Sequence, residues 1–226
     1  MPTLWRKVKS SGDDSVPGRA KKLIAGNKRT KAKFLWLGQC GLLGVPAEVG
    51  ELVWLESLSL SDGCSEWDGQ DWRYKRTKNS GQSNSRLTNL APLASLSALR
   101  VLNVSGTQVS DLTPLAGLSA LRTLEVPGTL VSGLAPLAGL SALQTLNVSG
   151  SQVTYLAPLA DLSDLRTLDV SETPVGYLAP LKGLSALRTL NVSGAKVSDL
   201  GPLAGLSALQ KLNVSGAKVS DLVLQL

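Results

Sequence analysis

The 226-residue sequence predicts an α/β solenoid, a coil of short strand-and-turn units whose strands line one wall as a parallel sheet. Three observations predict it. Leu99, Leu121, Leu143, Leu165, Leu187 and Leu209 stand 22 residues apart, and each opens a near-copy of one unit, from LRVLNVSGTQVSDLTPLAGLSA to the shortened LQKLNVSGAKVSDLVLQL. Within each copy, apolar residues alternate with polar ones at the front and then recur at every third place. Aromatic residues make up only 4% of the chain, with one Phe and one Met, so leucine and valine must fill the core.

The unit explains itself when its residues are counted from the opening leucine. Positions 4 and 6, Leu102 and Val104 in the first copy, alternate with polar neighbours as a half-buried strand requires. The Ser-Gly pair that follows ends the strand and turns the chain. Positions 11, 14, 17 and 20 (Val109, Leu112, Leu115, Leu118) return apolar side chains to the interior across the convex side. Proline at position 16, as in Pro114 and Pro158, forbids a long helix there and suits a short 3₁₀ turn. One unit cannot bury its own apolar face, but stacked units can, with strands about 4.8 Å apart. A period of about 20–29 residues opening on L-x-x-L-x-L marks leucine-rich repeats. The expected fold is a leucine-rich-repeat right-handed superhelix with a concave parallel β-sheet and a convex side of short 3₁₀ or loop segments.

Residues 99–226 hold six such repeats, the last incomplete, and residues 32–98 hold two irregular ones. In the first irregular unit Leu35, Leu37, Cys40 and Leu42 take the strand and turn places, followed by a VPAEVGEL convex segment. The second starts at Leu55 and resumes at Leu87; Leu55 and Leu99 are 44 residues apart, so about one repeat length is inserted, roughly Gly63 to Asn84. The insertion leaves just after the strand and should emerge at the edge of the concave face. Residues 1–31 form a basic arm, in which residues 19–31 read as a short capping helix or a basic coil.

The net charge of +6 belongs to that arm: residues 1–33 carry ten basic groups against Asp13 and Asp14, while residues 87–226 hold eight of each sign. The chain has no His, which excludes His-dependent triads, and its two cysteines cannot complete an ordinary zinc site without it. The reading is non-catalytic, with no cofactor and no metal. Residues 1–17 contain no apolar h-region, and no apolar run reaches membrane-spanning length, so the expected setting is cytoplasmic and reducing.

Candidate binding residues fall in two places. On the concave wall most copies repeat Thr, Asn, Ser and Gly at positions 3, 5, 7 and 8. The departures are Val101, Glu125, Pro127, Asp169, Glu172 and Lys211, beside a ladder of Arg100, Arg122, Arg166 and Arg188. The copies are either untuned duplicates, or Glu125, Asp169 and Glu172 mark an acidic spot for a basic partner. In the insertion, Trp67, Trp72, Arg73 and Tyr74 concentrate the residue types that make interaction hot spots; the alternative is that they cover a neighbouring repeat. Tyr155 and Tyr177 form a further small patch one repeat apart at the turn edge. Position 9 reads Cys40, Thr107, Thr129, Ser151, Thr173, Ala195 and Ala217. The hydroxyls are expected to stand in for a ladder of asparagines bonded to the neighbouring turn, and the alanines to loosen the last two turns.

The DLxPLAGLSALxxLxV pattern of residues 87–226 resembles the repeats of bacterial internalins, which are also 22 residues long and bind protein ligands. FLWLGQCGL (34–42) and EWDGQDWRYKRTKNSGQSN (66–84) resemble the repeat region of bacterial Roco proteins, where a Trp- and Lys-rich insertion interrupts an early repeat. Roco proteins carry a GTPase domain after their repeats; this chain has no GxxxxGK[ST] motif. The resemblances imply a protein–protein interaction scaffold, the recognition arm of a larger signalling protein or a stand-alone relative. Its partner would be a protein of unknown identity, with self-association through the Leu222–Leu226 end as an added route. The alternative is nucleic-acid or anionic-surface binding through the basic arm.

Overall fold

The coil of repeats is realised in a computed structural model that describes residues 16–67, 72–75 and 81–219, with the side chains of 64–67 and 72–75 outside the description. Each repeat contributes a three-residue strand at positions 3 to 5: β1 (Phe34–Trp36), β2 (Ser57–Ser59), then, after the hairpin strands β3 (Cys64–Trp67) and β4 (Trp72–Lys75), β5 (Val101–Asn103), β6 (Thr123–Glu125), β7 (Thr145–Asn147), β8 (Thr167–Asp169), β9 (Thr189–Asn191) and β10 (Lys211–Asn213). The repeat strands form one eight-stranded open sheet in the order β1-β2-β5-β6-β7-β8-β9-β10. Every pairing is parallel and in repeat register, such as Leu102↔Leu124 and Leu146↔Leu168. β3 and β4 make a separate antiparallel pair.

The strands are short because only position 4 between the two outward positions is needed to anchor each one. Leu58, Leu102, Leu124, Leu146, Leu168 and Leu190 sit there, essentially without solvent exposure. The convex side returns through 3₁₀ turns at Thr113–Leu115, Ala135–Leu137, Ala157–Leu159, Ala179–Leu181 and Gly201–Leu203, each with proline at its second place. That proline supplies no N–H, and the turn closes one residue later, as Leu115 N–H donates to the Leu112 carbonyl at 2.8 Å. A single hydrophobic cluster runs from Ala20 to Leu206 through these columns. Each leucine so buried contributes about 1.5–3 kcal/mol, and only stacking makes the burial possible.

The N-terminal end is closed by a helix, α1 (Gly18–Thr30), rather than by a basic coil. Ala20, Ile24 and Asn27 form its buried face. Asn27 fastens it: Nδ2 donates to the Ala32 and Phe34 carbonyls at 3.0 Å each, and Oδ1 accepts from Trp54 Nε1 at 2.9 Å. Lys31, left-handed at φ 54°, stops the helix and lays its ammonium 3.4 Å from the Trp54 ring centroid. Arg19 stands over Trp36 in the same way at 5.4 Å. Toward the other end Leu209, Leu212 and Val214 are only partly buried, and residues 220–226 lie outside the described residues. Among the described residues no helix is long and apolar enough to cross a membrane.

Candidate functional site

The concave wall is a set of columns, each one repeat position deep. Position 2 marks the edge where the strands begin, and its backbone is stitched along the coil: Arg122 N–H donates to Arg100 O, Gln144 to Arg122, Arg166 to Gln144 and Arg188 to Arg166, all at 2.8 Å. The arginines of this column are exposed. Arg100 is 3.9 Å from Glu56, which also holds Lys33 at 2.7 Å; the Lys33 hydrogen bond, with Arg100 nearby, keeps the Glu56 carboxyl below its ordinary range. Arg122, Arg166 and Arg188 have no ion pair among the described residues. Position 3 is a hydroxyl column of Thr123, Thr145, Thr167 and Thr189. Val101 precedes that column and is buried, and Lys211 at its far end is exposed.

Position 5 has a structural task that the sequence reading did not see. Its side-chain oxygen caps the amide two residues on: Asn103 for Ser105, Asn147 for Ser149, Asp169 for Ser171, Asn191 for Ser193 and Asn213 for Ser215, at 2.9 to 3.1 Å. Asx residues do this readily, and it ends the strand. Asp169 is fully engaged: Oδ1 also accepts from Ser171 Oγ at 2.6 Å, and Oδ2 accepts from Asn191 Nδ2 at 3.0 Å. Glu125 stands in this column opposite Pro127, whose nitrogen has no hydrogen to cap. Loss of the short cap and loss of its donor therefore occur in the same repeat. The signal was present in the six regular repeats as N-x-S or D-x-S, broken once as E-x-P.

At position 8 the turns need a positive φ, and glycine supplies it at Gly106, Gly128, Gly150, Gly194 and Gly216, between 62° and 73°. Glu172 takes the same place at φ 54°. A non-glycine residue there is strained by about 1 kcal/mol. Its carboxylate lies so close over Gly194 that a Cβ on that glycine would collide with it. Glu172 is exposed, so Glu172, Asp169 and Glu125 place their carboxyls at the strand-end edge of the wall, opposite the arginine column.

The insertion leaves and returns through a clasp. Gly41 N–H donates to Gln82 O at 2.7 Å as the chain comes back. Asp62, at the exit, accepts from the Gln39 amide at 2.9 Å and the Asn84 amide at 2.8 Å, and also from the Ser83 hydroxyl. Asn84 is completely buried; its Oδ1 accepts from Leu42 N–H at 2.9 Å, and its Nδ2 donates to Leu37 O and Leu60 O at 2.8 Å. Gly81 fits only because it lacks a Cβ, which would collide with the Gln39 carbonyl. Beyond the clasp, β3 and β4 pair with Trp67 opposite Trp72, Glu66 opposite Arg73 and Ser65 opposite Tyr74. The side chains of Trp67, Trp72, Arg73 and Tyr74 lie outside the described residues, so the choice between a binding loop and a cover falls there too.

Position 9 departs from expectation. Thr107 and Thr129 donate not to the neighbouring turn but back to their own strand ends, to Val104 O and Val126 O at 2.7 Å, and Thr173 bonds Val170 O likewise. Ser151, one methyl shorter, leaves its buried hydroxyl unpartnered. The inter-turn ladder is carried by backbone: Gly106 N–H to Pro127 O, Gly150 to Ser171 and Gly194 to Ser215, at 2.8 to 2.9 Å. Turns at Ala195 and Ala217 therefore close as the others do, with their N–H groups bonded to Val192 O and Val214 O at 3.1 and 3.0 Å. Cys40 is buried, and burial pushes its thiol pKa up. Tyr155 and Tyr177 are 76% and 66% exposed. They occupy position 13, where Asn89, Asp111 and Asp199 instead cap the following 3₁₀ turn at 2.7 to 2.8 Å.

This architecture is similar to that of bacterial leucine-rich-repeat proteins. Against the crystal structure of internalin C2 from Listeria monocytogenes the TM-score is 0.70 at 28% identity, covering 84% of this chain and 74% of that one. Against internalin F of the same organism the values are 0.63 and 26%, covering 80% of this chain and 54% of that one. A leucine-rich-repeat protein of Leptospira interrogans shares the fold alone, with a TM-score of 0.54 at 18% identity over 77% of this chain and 52% of that one. This chain thus spans about half the length of the latter two. No family model and no curated protein matches it by sequence.

Proposed function

We propose that this chain, built like the internalin repeats, is a non-catalytic scaffold for protein–protein interaction. Recognition is divided between the concave wall, through Glu125, Arg166, Asp169 and Glu172, and the insertion, through Trp67, Trp72, Arg73 and Tyr74. One observation carries this reading: side chains at positions 3 and 5 from β6 to β9 are only half-buried, so this stretch of the sheet leaves its polar face open, whereas those of β2 and β5 are buried. A solenoid wall of this kind offers an extended surface to a partner. The Roco-like segments add a second level, in which the chain is the recognition arm of a larger signalling protein or a stand-alone relative in a reducing cytoplasm.

The test compares capture of partners by the full chain and by a variant lacking residues 64–80. This deletion keeps Gln82, Ser83 and Asn84, and with them the clasp to Asp62 and Leu42. A protein captured by the full chain and lost on deletion supports the insertion; one retained by both moves recognition to the wall. Capture that disappears steeply as salt rises, and on removal of residues 1–15, would replace this reading by an electrostatic contact of the basic arm.

A further inference from the structure

We propose that the wall takes an extended peptide segment lying along the solenoid axis, with acidic side chains set against Arg122, Arg166 and Arg188. This rests on the reading of the wall as a recognition surface and gives that surface a chemistry. The column is exposed and, among the described residues, without ion pairs, whereas its first members, Lys33 and Arg100, are already held by Glu56. Arg166 and Arg188 immediately precede adjacent strands, about 4.8 Å apart in backbone, and directly stacked like charges oppose each other. An acidic ligand removes that opposition.

The charge is polarised across the wall. Arginines line the edge where strands begin, threonines the middle, and the carboxyls of Asp169 and Glu172 the edge where strands end. The two edges are separated by a three-residue strand, about 10 Å. A nucleic-acid strand, anionic along its whole backbone, would meet the carboxylates as well. An extended peptide presents successive side chains to opposite sides, so it can carry acid toward the arginines and uncharged or basic groups toward Glu172. Charge complementarity thus selects a peptide and also fixes how it lies.

The experiment uses fluorescence anisotropy with the full chain and with R122Q/R166Q/R188Q. Glutamine already occupies this column at Gln144 and Gln210, so the fold accepts it, and a matching thermal melt verifies that. The basic arm is present in both proteins, so their difference reads the column alone. The probes are labelled 12-residue peptides of alternating Glu-Thr and of alternating Gln-Thr, and an oligothymidylate. The expected result is at least tenfold tighter binding of the Glu-Thr peptide than of the Gln-Thr peptide, with at least a tenfold loss in the triple variant. The proposal is overturned if the triple variant binds the Glu-Thr peptide as tightly as the unaltered chain, or if oligothymidylate loses as much affinity as that peptide. Equal binding of the Glu-Thr and Gln-Thr peptides by both proteins would remove the arginine column but keep the wall as a recognition surface. Absence of any peptide binding would remove both.

Discussion

Asn84→Ala should be among the most damaging single changes in the chain, although the residue lies at the end of an insertion. Its side chain satisfies three backbone groups, the Leu42 N–H and the Leu37 and Leu60 carbonyls, at 2.8 to 2.9 Å in a site with no solvent exposure. Alanine leaves all three without partners and too deep for water. With a buried unmade bond costing about 1–3 kcal/mol, and partial relaxation allowed for, the loss is about 3–5 kcal/mol. For a chain of this size that corresponds to a fall of about 10 °C in melting temperature. Asn147→Ala is the internal comparison, since it removes one half-buried bond, to Ser149 N–H at 3.0 Å, and should cost about 0.5–1 kcal/mol. Urea unfolding followed by tryptophan fluorescence reads the right region, because Trp36 donates to Ser61 O beside the clasp. If the two alanine variants unfold at the same urea concentration, the clasp does not hold the early repeats together and the argument from buried partners is wrong.

Three further expectations follow from the turn columns and the wall edge. Glu172→Gly should raise stability by about 1 kcal/mol by releasing a left-handed φ, whereas Glu172→Ala keeps the strained backbone and should not; a melt in which both rise equally would assign the effect to the side chain. Ala195→Thr should add about 0.5–1 kcal/mol by donating to Val192 O as Thr107 does to Val104 O, and Ala195→Asn, which the local geometry does not call for, should add less. Glu56 has a lowered carboxyl pKa in the folded chain, so its contribution is present above the ordinary carboxylate pKa and is lost as pH falls through the folded value. Glu56→Gln should therefore flatten part of the acid limb of a stability–pH curve, and an unchanged limb would show that the Lys33 and Arg100 contacts are too solvent-screened to matter.

The parts of this molecule that repeat were legible because repetition averages away local noise. Leucines at one spacing dictated parallel strands in register, and Pro114 or Pro158 dictated the 3₁₀ turns without any tertiary information. What escaped were residues whose partners lie across a break in the period. Asn84 and Asp62 belong to one clasp, but the insertion sets them 22 residues apart, so spacing gave no hint that Asn84 neighbours Leu42. Asp169 has a structural role that its charge concealed. A carboxylate replacing asparagine reads as a change of surface charge, yet the turn uses only the oxygen the two side chains share. Threonine at position 9 likewise has a hydroxyl whose reach, back to its own strand end, is decided by a rotamer that sequence does not state.

The pairing of Glu125 with Pro127 bears on how such a wall can be diversified. A position whose side chain must cap the amide two places on is not open to free choice, however exposed it looks. Randomising it alone would mostly sample frayed strand ends and only rarely new specificities. Once proline removes the amide, the same position tolerates a longer side chain, as this chain demonstrates in its second regular repeat. A combinatorial library on this scaffold should therefore vary positions 5 and 7 as a unit, proline with any residue or serine with Asx. Selection from it would then report affinity instead of folding.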